Sequence, residues 1–123
     1  MSAKLKFKAT IHQAGVPGGD ETVSIIGRDG WALLHLITAG SRGLTTLERP
    51  APRWSAYVFK LRRAGITIKT DEEGHKGTFA GTHGRYTLVS NVSVSGGNLA
   101  EWLATDEGRR EFPRHEFFGR EAA

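Results

Sequence analysis

Six basic residues, Arg42, Arg49, Arg53, Lys60, Arg62 and Arg63, fall between Gly40 and Gly65 against a single acid, Glu48. That stretch carries a local net charge of +5, whereas the whole chain carries +4, so the rest sums to −1. Guanidinium and ammonium groups gathered on one helix face have a defined chemistry: they donate to phosphate oxygens and, within reach of a base edge, to guanine. Turning the segment at 100 degrees per residue sorts it into two faces. Trp54, Tyr57, Val58 and Leu61 form an apolar stripe that packs inward. Opposite them lie Arg53, Ala56, Phe59, Lys60 and Arg63, with Ser55 and Arg62 on the flanks. These residues, together with Arg42 in the preceding loop, are the predicted contacts to double-stranded DNA. The competing reading is a solvated cationic face on an ordinary packing helix. Phe59 suits either thymine methyl groups or packing against a neighbouring hairpin.

A second group follows in a Gly-rich segment. His75, Lys76, His83 and Arg85 are able to reach phosphates or a minor groove, and Gly74, Gly77, Gly81 and Gly84 permit close approach. Asp71, Glu72 and Glu73 stand at the base of that segment and repel phosphates, which restricts contact to its tip. Lys4, Lys6 and Lys8 alternate with apolar residues near the N-terminus; lysines so placed guard a strand edge against pairing, or extend an electrostatic footprint.

Other chemistries find little support. The chain has no cysteine, which removes disulfides, thiolate metal sites and a cysteine nucleophile. There is no HExxH pattern, no phosphate-binding Gly-Lys-Ser/Thr loop and no local signature setting a nucleophile beside a base. His75 and His83 lack a carboxylate or thiolate at metal-ligand spacing, and His35 sits in an apolar helix as a core histidine. No enzyme activity, cofactor or metal is expected.

The elements that must position these groups follow from periodicity and punctuation. Lys4 to Ile11 alternates as a half-buried strand, His12 to Asp20 is a loop, and Glu21 to Ile26 is a second short strand, giving an N-terminal hairpin. Asp29 is placed to N-cap a first helix through Ile37, stopped by Gly40. Thr45-Thr46-Leu47-Glu48 matches a capping box for a short second helix ended by Pro50. Pro52 to Ala64, stopped by Gly65, is the third helix and carries the basic face. Ile66 to Thr70 and Arg85 to Val89 alternate as paired strands around the polar excursion Asp71 to Gly84. Asn98-Leu99-Ala100-Glu101 matches another capping box, for a short helix ending before Gly108. The last fifteen residues read as frayed, although Phe112, Phe117 and Phe118 equip them to dock on the body or on a partner.

Length and composition fit one soluble domain: 123 residues, 38% hydrophobic and 24% charged. The longest apolar run, Trp31 to Ile37, is too short for a bilayer, and the N-terminus lacks an apolar targeting segment. A cytoplasmic protein is expected.

The segments Pro52 to Ile66 and Gly81 to Leu88 resemble small winged helix domain proteins of bacteria and their phages. The resemblance covers about Trp31 to Val89. In that group a basic helix ends in Leu-Arg-x-x-Gly, here Leu61 to Gly65, and a Gly-rich wing closes on Arg-Tyr-x-Leu, here Arg85 to Leu88. Gly84 departs from an alanine, and Phe59 from a polar residue. The resemblance implies an α+β winged helix-turn-helix with an N-terminal β-hairpin and a short C-terminal helix. It further implies a DNA-binding regulator with the third helix as recognition helix and Asp71 to Gly84 as wing. The expected organisation is residues 1–97 as this domain, with the winged helix proper at about 28–90, and residues 98–123 as helix and tail. Two rivals share the pattern: a protein-interaction module using Phe59, Trp102 or the tail, and an accessory packaging, replication or recombination factor. A homodimer or protein partner would use the N-terminal hairpin or the C-terminal helix and tail.

Overall fold

The computed structural model describes residues 4–13, 15, 18–45, 53–75, 81–115 and 117. In chain order these form β1 (Lys6–His12), β2 (Glu21–Ile26), α1 (Arg28–Ala39), a 3-10 turn (Gly40–Arg42), β3 (Leu44–Thr45), α2 (Trp54–Arg63), β4 (Ile68–His75), β5 (Gly81–Leu88), β6 (Asn91–Ser95), α3 (Leu99–Leu103) and α4 (Asp106–Glu111). The chain divides into two units, Met1–Trp31 with Asn91–Ala123, and Ala32–Ser90; α1 begins in the first and continues in the second. Among the described residues no helix is long and apolar enough to cross a membrane.

In the first unit the N-terminal alternation does form a strand: Phe7, Ala9 and Ile11 are buried while Lys6 and Lys8 are exposed. The hairpin it makes with β2 acquires a third strand, β6, giving the antiparallel order β2-β1-β6. β1 is therefore central, which overturns the expectation that its lysines guard an edge. Leu99, Trp102, Leu103 and Phe112 are buried in the same unit, and Gly30 brings the first turn of α1 against Phe7: a Cβ there would stand 2.8 Å from Phe7 Cε1. Gly27, with φ of 69°, caps that turn through its carbonyl, accepting from the Gly30 and Trp31 amides, so Asp29 lies inside the helix and is not its N-cap.

The capping box expected at Asn98 does not form. Its side chain instead continues the β1 ladder past the end of β6: Oδ1 accepts from the Lys6 amide at 2.8 Å, and Nδ2 donates to the Lys4 carbonyl at 2.7 Å. Gly97, at φ of 56°, makes this approach possible, because any Cβ would collide with the Lys6 carbonyl oxygen. The C-terminal region holds two short helices where one was expected. Thr105 Oγ1 N-caps α4 by accepting from the Gly108 amide at 3.1 Å. The chain is ordered as helix up to Glu111, and Phe112 is buried against Trp102 and Phe117, with centroids 6.0 and 5.7 Å away. The expected fraying of the last fifteen residues therefore does not hold over 109–112, where α4 ends and Phe112 docks against Trp102.

In the second unit Leu33, Leu34 and Leu36 of α1 are fully buried, as are Trp54, Val58 and Leu61 of α2, and Ile66 beyond it. α2 ends as Gly65 predicts: φ is 105°, the Ile66 amide donates to the Leu61 carbonyl and the Gly65 amide to that of Arg62. This paired closure satisfies two terminal carbonyls and sets buried Ile66 one turn beyond buried Leu61. The sheet order is β3-β5-β4, with Leu44 opposite Tyr86 and Thr45 opposite Arg85. Two-residue β3 had no visible signal; Gly43 (φ 71°) admits it, since a Cβ there would lie 2.7 Å from the Tyr86 carbonyl. The proposed second helix, Thr46 to Pro50, lies outside the described residues, as does Pro52. The polar excursion is shorter than predicted, because the ladder runs from Ile68 opposite Leu88 out to His75 opposite Gly81.

Candidate nucleic-acid interface

Why α2 presents a face to solvent follows from its burial. Trp54, Val58 and Leu61 point into the core, with Trp54 stacked on Tyr86 at 6.3 Å and edge-on to Tyr57 at 6.2 Å. That anchoring fixes the helix rotation and leaves Arg53, Ser55, Phe59, Lys60 and Arg63 exposed, with Ala56 half-buried among them. The helix contains no acid, and its described flank at Arg53 adds another cation. Phe59 is 59% exposed, and the Arg63 guanidinium lies 5.7 Å from its ring centroid one turn on. An arginine held over an aromatic ring is steadied without losing its donors.

Two arginines in the predicted set have structural employment. Arg62 donates from Nη2 to the Ile68 carbonyl at 2.6 Å and to Thr70 Oγ1 at 2.7 Å, and from Nε to the same carbonyl at 3.2 Å. It ties α2 to β4. Half-buried Arg85 donates to the Arg42 carbonyl at 2.9 Å and so joins β5 to the 3-10 turn. The side chain of Arg42 stays exposed. Of the wing set, His75 closes β4 and His83 lies in β5 opposite Glu73, while Lys76 falls outside the described residues. Asp71 stands opposite Arg85 and pairs with Lys69 at 3.3 Å, so the acids at the wing base are partly countered.

One constellation lay beyond sequence reasoning. His12 Nδ1 lies 2.9 Å from Asp20 Oδ2 and its Nε2 lies 2.8 Å from Ser93 Oγ. An ionised carboxylate only accepts, so Nδ1 donates and Nε2 accepts from the serine in the neutral ring. The bond from His12, followed by that from the Gln13 amide, holds the Asp20 carboxyl below its ordinary value. The atom order is that of a hydrolytic triad. However, Ser93 sits on an open sheet face, and a cleft in that unit has Trp31 and Trp102 in its lining and none of these three residues. Its evident work is to tie the loop before β2 to β1 and β6. Ser93 and His12 are 81 positions apart, so no local pattern could reveal them. Among the described residues no group of three or more His, Asp or Glu is placed to hold a metal ion.

A model of winged helix domains matches residues 22–98. The chain belongs to the winged helix domain family. The matched span runs from β2 to Asn98 and contains every α2 residue discussed above. No curated protein and no solved structure matches the chain. Winged helix domains are typically DNA-binding modules without catalytic function, and the α2–β4–β5 order places this chain's basic helix directly before its wing.

Proposed function

We propose that this winged helix protein binds double-stranded DNA by laying α2 in the major groove, and that it regulates transcription in the cytoplasm of a bacterium or on behalf of a phage. The observation that carries the reading is the exposed, acid-free face Arg53, Ser55, Phe59, Lys60 and Arg63, set opposite buried Trp54, Val58 and Leu61. Ser55 and Ala56 lie in the N-terminal half of the helix, where side chains reach base edges, and Phe59 stands just past its midpoint; Arg53 at the helix start and Lys60 and Arg63 toward its C-terminus take phosphates. Arg62 and Arg85 shape the surface through their structural bonds. The wing adds auxiliary contacts from the tip near His75, Lys76 and His83.

Fluorescence anisotropy against mixed-sequence duplex at several salt concentrations tests this. Wild type is expected to show a steep inverse salt dependence, and the R53A/K60A/R63A variant a slope shallower by about 2.7, from roughly 0.9 per lost phosphate contact. Superimposable curves for the two proteins would remove α2 from the interface. Competition with unrelated duplex separates a regulator, which prefers one site strongly, from an accessory factor that binds evenly.

A further inference from the structure

The outer face of the sheet β2-β1-β6 bears an unusual set of side chains for a unit that is not basic. The first unit holds eight basic and nine acidic residues. Yet the register sets exposed Lys8 between Ser24 and Ser95, and Thr10 between Thr22 and Ser93, with Lys6 beside Ile26. Thr10 and Thr22 share a hydrogen bond of 3.0 Å, so their hydroxyls project from the same side. Glu21 stands opposite buried Ile11 and therefore belongs to the other side. The acid at the end of this face, Asp20, is engaged by His12 and the Gln13 amide. Among the described residues neither Lys6 nor Lys8 is paired with a carboxylate.

Because β1 is hydrogen-bonded on both sides, its lysines have no edge to guard. They are two residues apart on the same side, about 6.6 to 6.8 Å along the strand, flanked by short hydroxyls. We propose that this sheet face is a second, sequence-independent contact for DNA, in which Lys6 and Lys8 bind phosphates and the Ser24 and Ser95 hydroxyls that flank Lys8 donate to the same backbone. Ammonium and hydroxyl donors are the groups that hold phosphodiester oxygens, and such contacts carry no sequence information. The inference rests on the DNA-binding reading of α2.

The test uses the full chain and a mixed-sequence duplex of about 30 base pairs, titrated by anisotropy across salt concentrations. Three variants are compared with wild type: K6Q/K8Q, the charge-preserving K6R/K8R, and R53A/K60A/R63A. K6Q/K8Q is expected to reduce the salt slope by about 1.8, the value for two phosphates. K6R/K8R is expected to keep the wild-type slope. If wild type and R53A/K60A/R63A differ but K6Q/K8Q superimposes on wild type, the sheet face is not a contact and the α2 reading stands. Equal losses in K6Q/K8Q and K6R/K8R would also overturn the proposal, because they would show a structural role for the lysine stems. Failure of wild type to bind at low salt removes both readings together.

Discussion

The two units each contain a three-stranded antiparallel sheet with a hairpin at its heart, but they differ in net charge. The second unit has nine basic residues to four acids, and concentrates its exposed cations on α2. The first has eight to nine, and its acids cluster on and around the short helices α3 and α4, at Glu101, Asp106, Glu107 and Glu111. Net charge alone would make one unit a DNA binder and the other a bystander. The distribution of charge teaches something finer, since each unit holds exposed cations with no carboxylate partner among the described residues, on α2 and on β1, and others engaged internally, such as Arg62 and, bonded to the Ala104 carbonyl, Arg109. Adjacent Arg62 and Arg63 show the distinction within a single helix: the first is bound to β4 and the second lies over Phe59 at the surface.

The strongest way to break this comparison is to remove the anchor that orients the basic face. Trp54→Ala, at 2% exposure and stacked on Tyr86, is expected to cost about 3 to 5 kcal/mol in urea denaturation and to abolish DNA binding with it. A cost below 1 kcal/mol would show that α2 is held by something else. Next comes the pair of arginines. Arg62→Ala is expected to cost about 1.5 to 3 kcal/mol, through loss of charged hydrogen bonds to β4, with little effect on the salt slope. Arg63→Ala should leave stability within about 0.5 kcal/mol and flatten the slope by about 0.9. An exchange of these two phenotypes would contradict the assignment of roles. In the first unit, Asn98→Ala removes two side-chain bonds to β1 and is expected to cost about 1 to 3 kcal/mol with DNA affinity at low salt unchanged.

The smallest expected effect is a pH dependence. Because hydrogen bonds lower the folded-state pKa of Asp20, its contribution is present above the ordinary carboxylate range and is lost as pH falls through the lowered folded value. Urea midpoints of wild type and Asp20→Asn should therefore differ near pH 6 and converge as the pH is lowered below about 4. A constant difference across that range would mean that the carboxylate charge is not what ties the loop.

How much of this was legible depends on the distance over which each signal acts. α2 was readable with both faces and its C-terminal stop, because a 3.6-residue period, a terminal glycine and an apolar stripe are all local. β6 was not, although Val92 and Val94 alternate, since five residues say nothing of a partner strand some 80 positions away. The outer halves of β4 and β5 look like loop in sequence because Glu72, Glu73, Gly74 and His83, Gly84 have poor strand propensity; hairpin register carries the ladder through them regardless. Asn98 and Arg62 mark the same limit in side chains. A residue type with several compatible roles, N-cap or strand mimic, phosphate donor or internal clamp, is resolved only by what folds beside it.

The most direct test of the central claim is a map of backbone amide shifts in the 15N-labelled chain titrated with duplex DNA. With α2 in the groove, the largest early shifts fall at Ser55, Phe59, Lys60 and Arg63, and Trp54, Val58 and Leu61 move less. Shifts confined to α3 and α4, or a spectrum unchanged by DNA at low salt, would contradict it and return the basic helix to the status of a solvated packing element.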